Sequence, residues 1–262
     1  MSTPPQLSVV IPAYNEAAVI ADTVHGLVEA LTPTGWSFEI VVADDGSSDD
    51  TWAILTALAQ RFVQLEPVRN GGPGGYGMAV RRALEASSGE AVIVAMADGS
   101  DPPGDVVTYA RLLLDDGYDC AFGTRFRGWR GPPDYPFVKF VLNRLGNLLV
   151  ALVTWTSYND FTNGFKGYRR PVIAAMQPLV SADFNLTVEM SMKAVLGGAA
   201  FKVVPNQWHD RKGGVSKFKL GSAGPRYLLT ILYCRLDAHL RRAGARRRHE
   251  PVAAVARARR AE

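Results

Sequence analysis

The chain has 262 residues, 47% hydrophobic and 21% charged, an ordinary globular composition with length enough for one full core. Its net charge of +4 is unevenly placed: residues 241–262 carry eight Arg against two Glu, which leaves −2 on residues 1–240 and excludes a basic nucleic-acid-binding face on the fold. The two cysteines, Cys120 and Cys234, lie far apart without metal-ligand spacing, which excludes a disulfide framework and a thiolate metal centre.

In chain order, Met1 to Gln6 show neither the basic region nor the apolar run of a secretory leader, so the expected location is the cytoplasm. Short β-branched runs then alternate with helical patterns. Strands are expected at Leu7–Ile11, Glu39–Ala43, Val63–Val68, Ala91–Ala95 and Cys120–Gly123, with helices near Glu16–Leu31, Asp49–Arg61, Gly75–Ser87 and Gly104–Asp115. That alternation predicts an α/β fold, a mainly parallel wound sheet with helices on both faces and ligands at the carboxyl ends of its strands. After Gly123 the alternation stops. There follow an apolar segment, Tyr135–Trp155, broken by Lys139, Asn143, Arg144 and Asn147; an aromatic turn region at Phe161–Tyr168; a helix near Leu186–Leu196; and a strand near Phe201–Val204. A Gly- and Lys-rich loop, Asp210–Lys217, leads to a last amphipathic stretch, Tyr227–Leu240. Neither apolar segment reaches the roughly 20 uninterrupted residues of a membrane span, and both read as amphipathic helices, usually core-packing and less often interfacial.

Unusual chemistry falls at the expected strand ends. Gly72-Pro73-Gly74-Gly75-Tyr76-Gly77 fits the dinucleotide fingerprint G-x-G-x-x-G, but it follows the third strand, where the first is required, and its downstream acid, Asp98, belongs to an acidic cluster better suited to a metal. Asp44-Asp45-Gly46-Ser47 makes a good turn, with Ser47 or Ser48 as a helix cap; Asp44 itself is placed to accept from the N–H edge of a uracil or guanine. Asp98 and Asp101, closed off by Pro102-Pro103, offer the hard oxygens that Mg²⁺ or Mn²⁺ prefers, with a diphosphate completing the shell.

These stretches, in their order, resemble a family 2 glycosyltransferase of the GT-A fold, and most nearly the dolichol- or polyprenol-phosphate mannose synthases. The resemblance covers residues 7–235 and is carried by Val9–Glu16, Ile40–Ser47, Asn70–Gly75, Asp98–Pro103, Gly123–Phe126, Thr162–Lys166 and Arg211–Lys217. The charge distribution divides the chain into a catalytic domain over residues 1–240 and a basic, disordered tail over 241–262. The resemblance implies a nucleotide-sugar site formed by Pro12, Tyr14, Glu16, Asp44 and Asp98, and a Mg²⁺ or Mn²⁺ ion on Asp98. The family's Asp-x-Asp stands here as Met96-Ala97-Asp98, and a thioether is a poor ligand for a hard cation, so Ser100 and Asp101 are expected to compensate.

On the acceptor side, Arg125, Lys139, Arg211 and Lys217 match the positions that bind the lipid phosphate in the resembling family, Lys139 standing where an Arg is usual. Asp98, Arg125 and Arg211 are then the catalytic residues. The implied reaction is an inverting transfer of a hexosyl group from GDP-mannose or a UDP-sugar to a polyprenyl phosphate, peripherally at the cytoplasmic face of a membrane. A phosphate acceptor is already anionic and needs no general base. If the acceptor is instead a hydroxyl of a glycan or soluble molecule, Asp160 and Glu189 are the candidate bases. The tail reads either as a solvated end or as a polybasic segment at an anionic membrane.

Overall fold

The computed structural model describes residues 3–126, 137–206 and 220–248. A seven-stranded sheet forms the centre, built from β1 (Leu7–Ala13), β2 (Phe38–Asp44), β3 (Leu65–Arg69), β4 (Ala91–Val94), β5 (Cys120–Thr124), β6 (Lys166–Arg169) and β7 (Phe201–Pro205). Its order is β3-β2-β1-β4-β6-β5-β7. The helices are α1 (Ile20–Leu31), α2 (Thr51–Ala59), α3 (Tyr76–Ala86), α4 (Pro103–Leu114), α5 (Phe137–Thr154), α6 (Arg170–Ala175), α7 (Leu186–Leu196) and α8 (Leu220–Arg248).

Every residue of β1 is buried, because both faces of the sheet are covered. Leu7, Val9 and Ile11 pack with Ile40 and Val42 of β2 beneath α1, α2 and α4; the alternate residues, Val10 and Val41, enter the core under α3 and α7. The pairing is parallel among β1, β2, β3 and β4 and again between β5 and β7. The register aligns Ala13 with Asp44 and Asp44 with Arg69, so the first three strands end level. The chain winds outward from β1 to β3 on one side and continues through β4 on the other. The switch point of the sheet therefore lies between β1 and β4, where such folds open a crevice.

Two expectations need correction. The region Phe161–Tyr168, read as a turn, contains the start of β6, an antiparallel strand between β4 and β5. Lys166 hid it: a lysine in a short segment signals a surface, yet this one is buried and donates to the carbonyls of Phe161 (2.6 Å), Asn163 (2.7 Å) and Thr187 (3.1 Å). Burial pulls its pKa down to about 7, with the Asp160 carboxylate opposing the fall. Second, the tail boundary at residue 240 falls inside α8, which runs on to Arg248. Arg241 and Arg242 anchor this extension by donating to the carbonyls of Ala175, Gln177 and Leu196. The helices α5 and α8, expected as amphipathic, each leave a row of leucines exposed.

Candidate active site

The carboxyl ends of β1, β2 and β4 carry the acidic and polar clusters to one edge. At the end of β1, Pro12 is buried, Tyr14 is exposed, and Asn15 takes a left-handed conformation (φ 54°). Asn15 is held there from both sides, its N–H donating to Ser47 Oγ (2.9 Å) and its side-chain carbonyl accepting from the Ser48 N–H (2.8 Å). The Glu16 N–H donates to Thr51 Oγ1 (2.9 Å). The Pro12–Glu16 turn is thus fastened to the turn after β2, and the two stretches form one ledge.

Asp44 is buried at the end of β2 and accepts the Ser47 N–H at 3.3 Å, a local turn contact that the sequence reading assigned only to its neighbours. Asp45 has a distinct role that the sequence did not reveal. Its carboxylate accepts from Asn70 Nδ2 (2.6 Å) and from the Gly75 N–H (2.7 Å), clasping the glycine-rich loop to the end of β2. The signal available was the pairing of an acid after one strand with an Asn-Gly turn after the next.

The fingerprint glycines answer to packing. A Cβ on Gly77 would lie 2.4 Å from the Ser181 carbonyl oxygen, and one on Gly75 would lie 2.5 Å from that of Ala182. The same Ala182 carbonyl accepts the N–H groups of Gly77 (2.8 Å) and Met78 (3.2 Å). The N-terminus of α3 is therefore capped by protein, where a dinucleotide site would leave it open to a pyrophosphate.

Beyond β4, Asp98, Ser100 and Asp101 are all buried. Asp98 accepts the Ser100 N–H (3.1 Å) and Asp101 accepts the Met96 N–H (3.2 Å). Burial pushes the Asp101 carboxyl up to about 7; the Met96 N–H pulls it down, and the neighbouring Asp98 charge adds to the rise. Among the described residues no group of three or more His, Cys, Asp or Glu gathers as a metal cage. Two buried carboxylates that repel one another nevertheless suit a divalent cation whose other ligands are substrate phosphates. The Met96 sulfur sits 3.2 Å from where a Gly164 Cβ would be, with the Tyr76 hydroxyl 3.1 Å from the same point.

Arg125 stands near enough to Asp101 to act on it electrostatically. Its fork, however, is given to protein. Nε and Nη2 donate to the two oxygens of fully buried Asp160 (2.9 and 2.7 Å), and Nη2 also donates to Thr162 Oγ1 (3.1 Å). The expected phosphate fork is thus, on that edge, the support of the 159–162 turn. The two candidate bases are engaged as well. Asp160 neutralises Arg125, while Glu189 on α7 accepts the N–H groups of Val180 (2.9 Å) and Ser181 (2.8 Å) and pairs with Lys193 (3.0 Å) in the interior. The side chain of Lys139, and Arg211 and Lys217 altogether, lie outside the described residues.

The profile described as Glycosyl transferase family 2 matches residues 8–176. The chain is 30% identical over 209 residues to Glycosyltransferase AglD of Haloferax volcanii, covering 79% of this chain and 33% of that protein. It is 28% identical over 219 residues to Dolichol-phosphate mannosyltransferase of Pyrococcus furiosus (82% and 59% covered). It is 30% identical over 223 residues to Polyprenol monophosphomannose synthase of Mycolicibacterium smegmatis (80% and 79%). The chain thus spans from a third to four fifths of the length of these curated relatives. Among solved structures, glucosyl-3-phosphoglycerate synthase from Mycobacterium tuberculosis, in a complex with Mn²⁺, UDP and glucosyl-3-phosphoglycerate, matches with a TM-score of 0.65 at 19% identity, covering 88% of this chain and 80% of that one. At that identity the likeness is one of fold.

Proposed function

The chain belongs to glycosyl transferase family 2, and from that premise we propose that it transfers a hexosyl group, with inversion, from a nucleotide diphosphate sugar to the phosphate of a polyprenyl lipid. The observation that carries the reading is the convergence of Pro12–Glu16, Asp44 and the Asp98–Asp101 pair at the switch point of one sheet. A base, a sugar and a diphosphate lie in a row in such a donor, and the three clusters offer acceptors for the base, a polar ledge and a cation shelf in the same sequence.

In this account Asp44 accepts from the N–H edge of the base, Tyr14 and Glu16 line the ledge, and Asp98 and Asp101, with Ser100 beside them, hold Mg²⁺ or Mn²⁺. Bound there, the ion neutralises the charge that develops on the leaving diphosphate. Asp45 holds the glycine-rich loop against the donor ledge. Arg125 fixes the 159–162 turn beside the shelf, and Lys139, Arg211 and Lys217 supply charge for the acceptor phosphate. An anionic acceptor attacks without a general base, which agrees with the commitment of both Asp160 and Glu189 to internal partners. Two of the relatives carry names that specify a dolichol or polyprenol phosphate product or substrate, which supports the lipid acceptor. Peripheral contact at the cytoplasmic face of a membrane follows from that substrate.

Calorimetric titration with GDP and with UDP, with and without Mn²⁺, tests the donor half. One nucleotide should bind in a Mn²⁺-dependent manner, and Asp44→Ala should weaken it about tenfold or more, since the acceptor of the base N–H is then gone. Binding that ignores both Mn²⁺ and Asp44 would refute the assignment.

A further inference from the structure

The helices α5 and α8 are amphipathic the wrong way round for a protein in water. On α5, Val141, Leu142, Leu145, Leu148, Leu149 and Leu152 are 36–62% exposed, while Asn147 and Thr154 are buried with Val150 on the other side. At 100° per residue the exposed set occupies an arc of roughly 120° and the buried set lies opposite. On α8, Leu228, Leu229, Leu232, Leu236 and Leu240 are 50–66% exposed over a similar arc, opposite buried Thr230, Ile231 and Cys234. The two helices touch one another and both pack on α7. Single exposed leucines are unremarkable, but eleven apolar side chains in two continuous stripes mark a contact surface.

We infer that these stripes dock the protein on an anionic lipid bilayer, seating α5 and α8 in the interfacial layer. The composition favours lipid over a protein partner. The stripes are almost purely aliphatic, Trp155 stands 88% exposed just beyond the end of α5, and exposed Arg235 flanks the stripe of α8, about 20° around the helix from Leu228. Leucine inward, tryptophan at the rim and arginine alongside is the pattern of a helix lying in a membrane surface. The basic run from Arg241 onward adds attraction for acidic headgroups. Among the described residues no helix is long and apolar enough to cross a membrane, so the contact is lateral.

The polar side of α5 reaches the candidate active site. Asn143 donates to Thr162 Oγ1 (2.8 Å), Asn147 accepts the Phe161 N–H (2.6 Å), and Arg144 donates to the Asn159 carbonyl (3.2 Å). One helix therefore spans the distance between the bilayer and the turn that Arg125 holds. The use of this arrangement rests on the lipid-acceptor reading: a phosphate at headgroup level would meet the site without its prenyl chain leaving the bilayer.

The test is vesicle flotation of the full chain without substrate, using phosphatidylcholine vesicles with and without phosphatidylglycerol. The wild type should float with the mixed vesicles and less with the neutral ones. The exposed triples Leu145→Gln/Leu149→Gln/Leu152→Gln and Leu229→Gln/Leu232→Gln/Leu236→Gln should each lower the partition about tenfold or more at unchanged circular dichroism. Transfer to a short, water-soluble prenyl phosphate should be unchanged in the triples, and transfer to a long prenyl phosphate in vesicles should fall with the partition. Flotation that survives both triples, or wild-type protein that stays in solution with both vesicles, overturns the inference. A dimer by light scattering that the triples dissociate, with no vesicle binding, assigns the stripes to a second copy and overturns it too. Loss of all transfer with flotation intact would refute the proposed reaction and leave the docking surface standing.

Discussion

Replacing Arg125 by Met separates two roles for a residue that the sequence assigns to the acceptor phosphate and the structure assigns to Asp160. Asp160 is fully buried and Arg125 only 14% exposed, so the substitution leaves a carboxylate in the interior without its cation. Breaking a buried pair in this way costs about 3–5 kcal/mol. The Arg125 backbone N–H would still donate to Asp160 (3.0 Å), which places the cost near the lower end, about 3 kcal/mol. For a domain of this size, about 2–4 °C of melting temperature accompany each kcal/mol, so Tm should fall by roughly 6–12 °C. Arg125→Met/Asp160→Asn removes the orphaned charge and should recover at least about 1.5 kcal/mol of that loss, a coupling typical of residues in contact. Thermal denaturation followed by circular dichroism reads both numbers, and steady-state kinetics on the same samples reads the acceptor KM. A single variant that melts within about 1 °C of wild type and raises the acceptor KM would show that the guanidinium serves the phosphate and not the fold, against the reasoning here.

Asp98→Ala should lower turnover by about a hundredfold or more and abolish Mn²⁺-dependent nucleotide binding, while Tm stays level or rises because a like charge beside Asp101 is gone; retained activity would remove Asp98 from the cation shelf. Met96→Asp should tighten Mn²⁺ binding in the same titration if the shelf lacks only one ligand, and an unchanged isotherm would mean that Asp101 already fills that place. Gly77→Ala should cost about 1–3 kcal/mol by driving a methyl into the 181–182 backbone, lowering Tm with nucleotide affinity preserved in the folded fraction; an unchanged Tm would contradict the packing role of the fingerprint glycines.

The parallel strands β1, β2 and β4 were legible because they are largely buried on both faces and read as apolar, β-branched runs, with polar clusters where each one stops. Leu7–Ile11 and Glu39–Ala43 fall within β1 and β2 for that reason. The strand β3, with Glu66 and Arg69 exposed, starts two residues later than its expected Val63, which is exposed. The antiparallel strand β6 was not legible: four residues, one a buried lysine and one a glycine whose Cβ would strike Leu113, display no period. The carboxylates of the candidate site were found from their positions at strand ends, but their partners were not. Only the folded chain brings Asp160 to Arg125 across 35 residues, or Asp45 to Gly75 across 30. The inverted faces of α5 and α8 were written in the sequence as ordinary amphipathic patterns, and periodicity reports a stripe without saying whether it faces the core or the outside.

The central claim meets its most direct test in a transfer assay with purified protein, radiolabelled GDP-mannose or UDP-hexose, Mn²⁺ and a polyprenyl phosphate. The account predicts a labelled, mild-acid-labile prenyl phosphate sugar of inverted anomeric configuration, formed with one of these donors and absent with Asp98→Ala. Label that reaches only a glycan or soluble hydroxyl acceptor, with none on the prenyl phosphate, would contradict it.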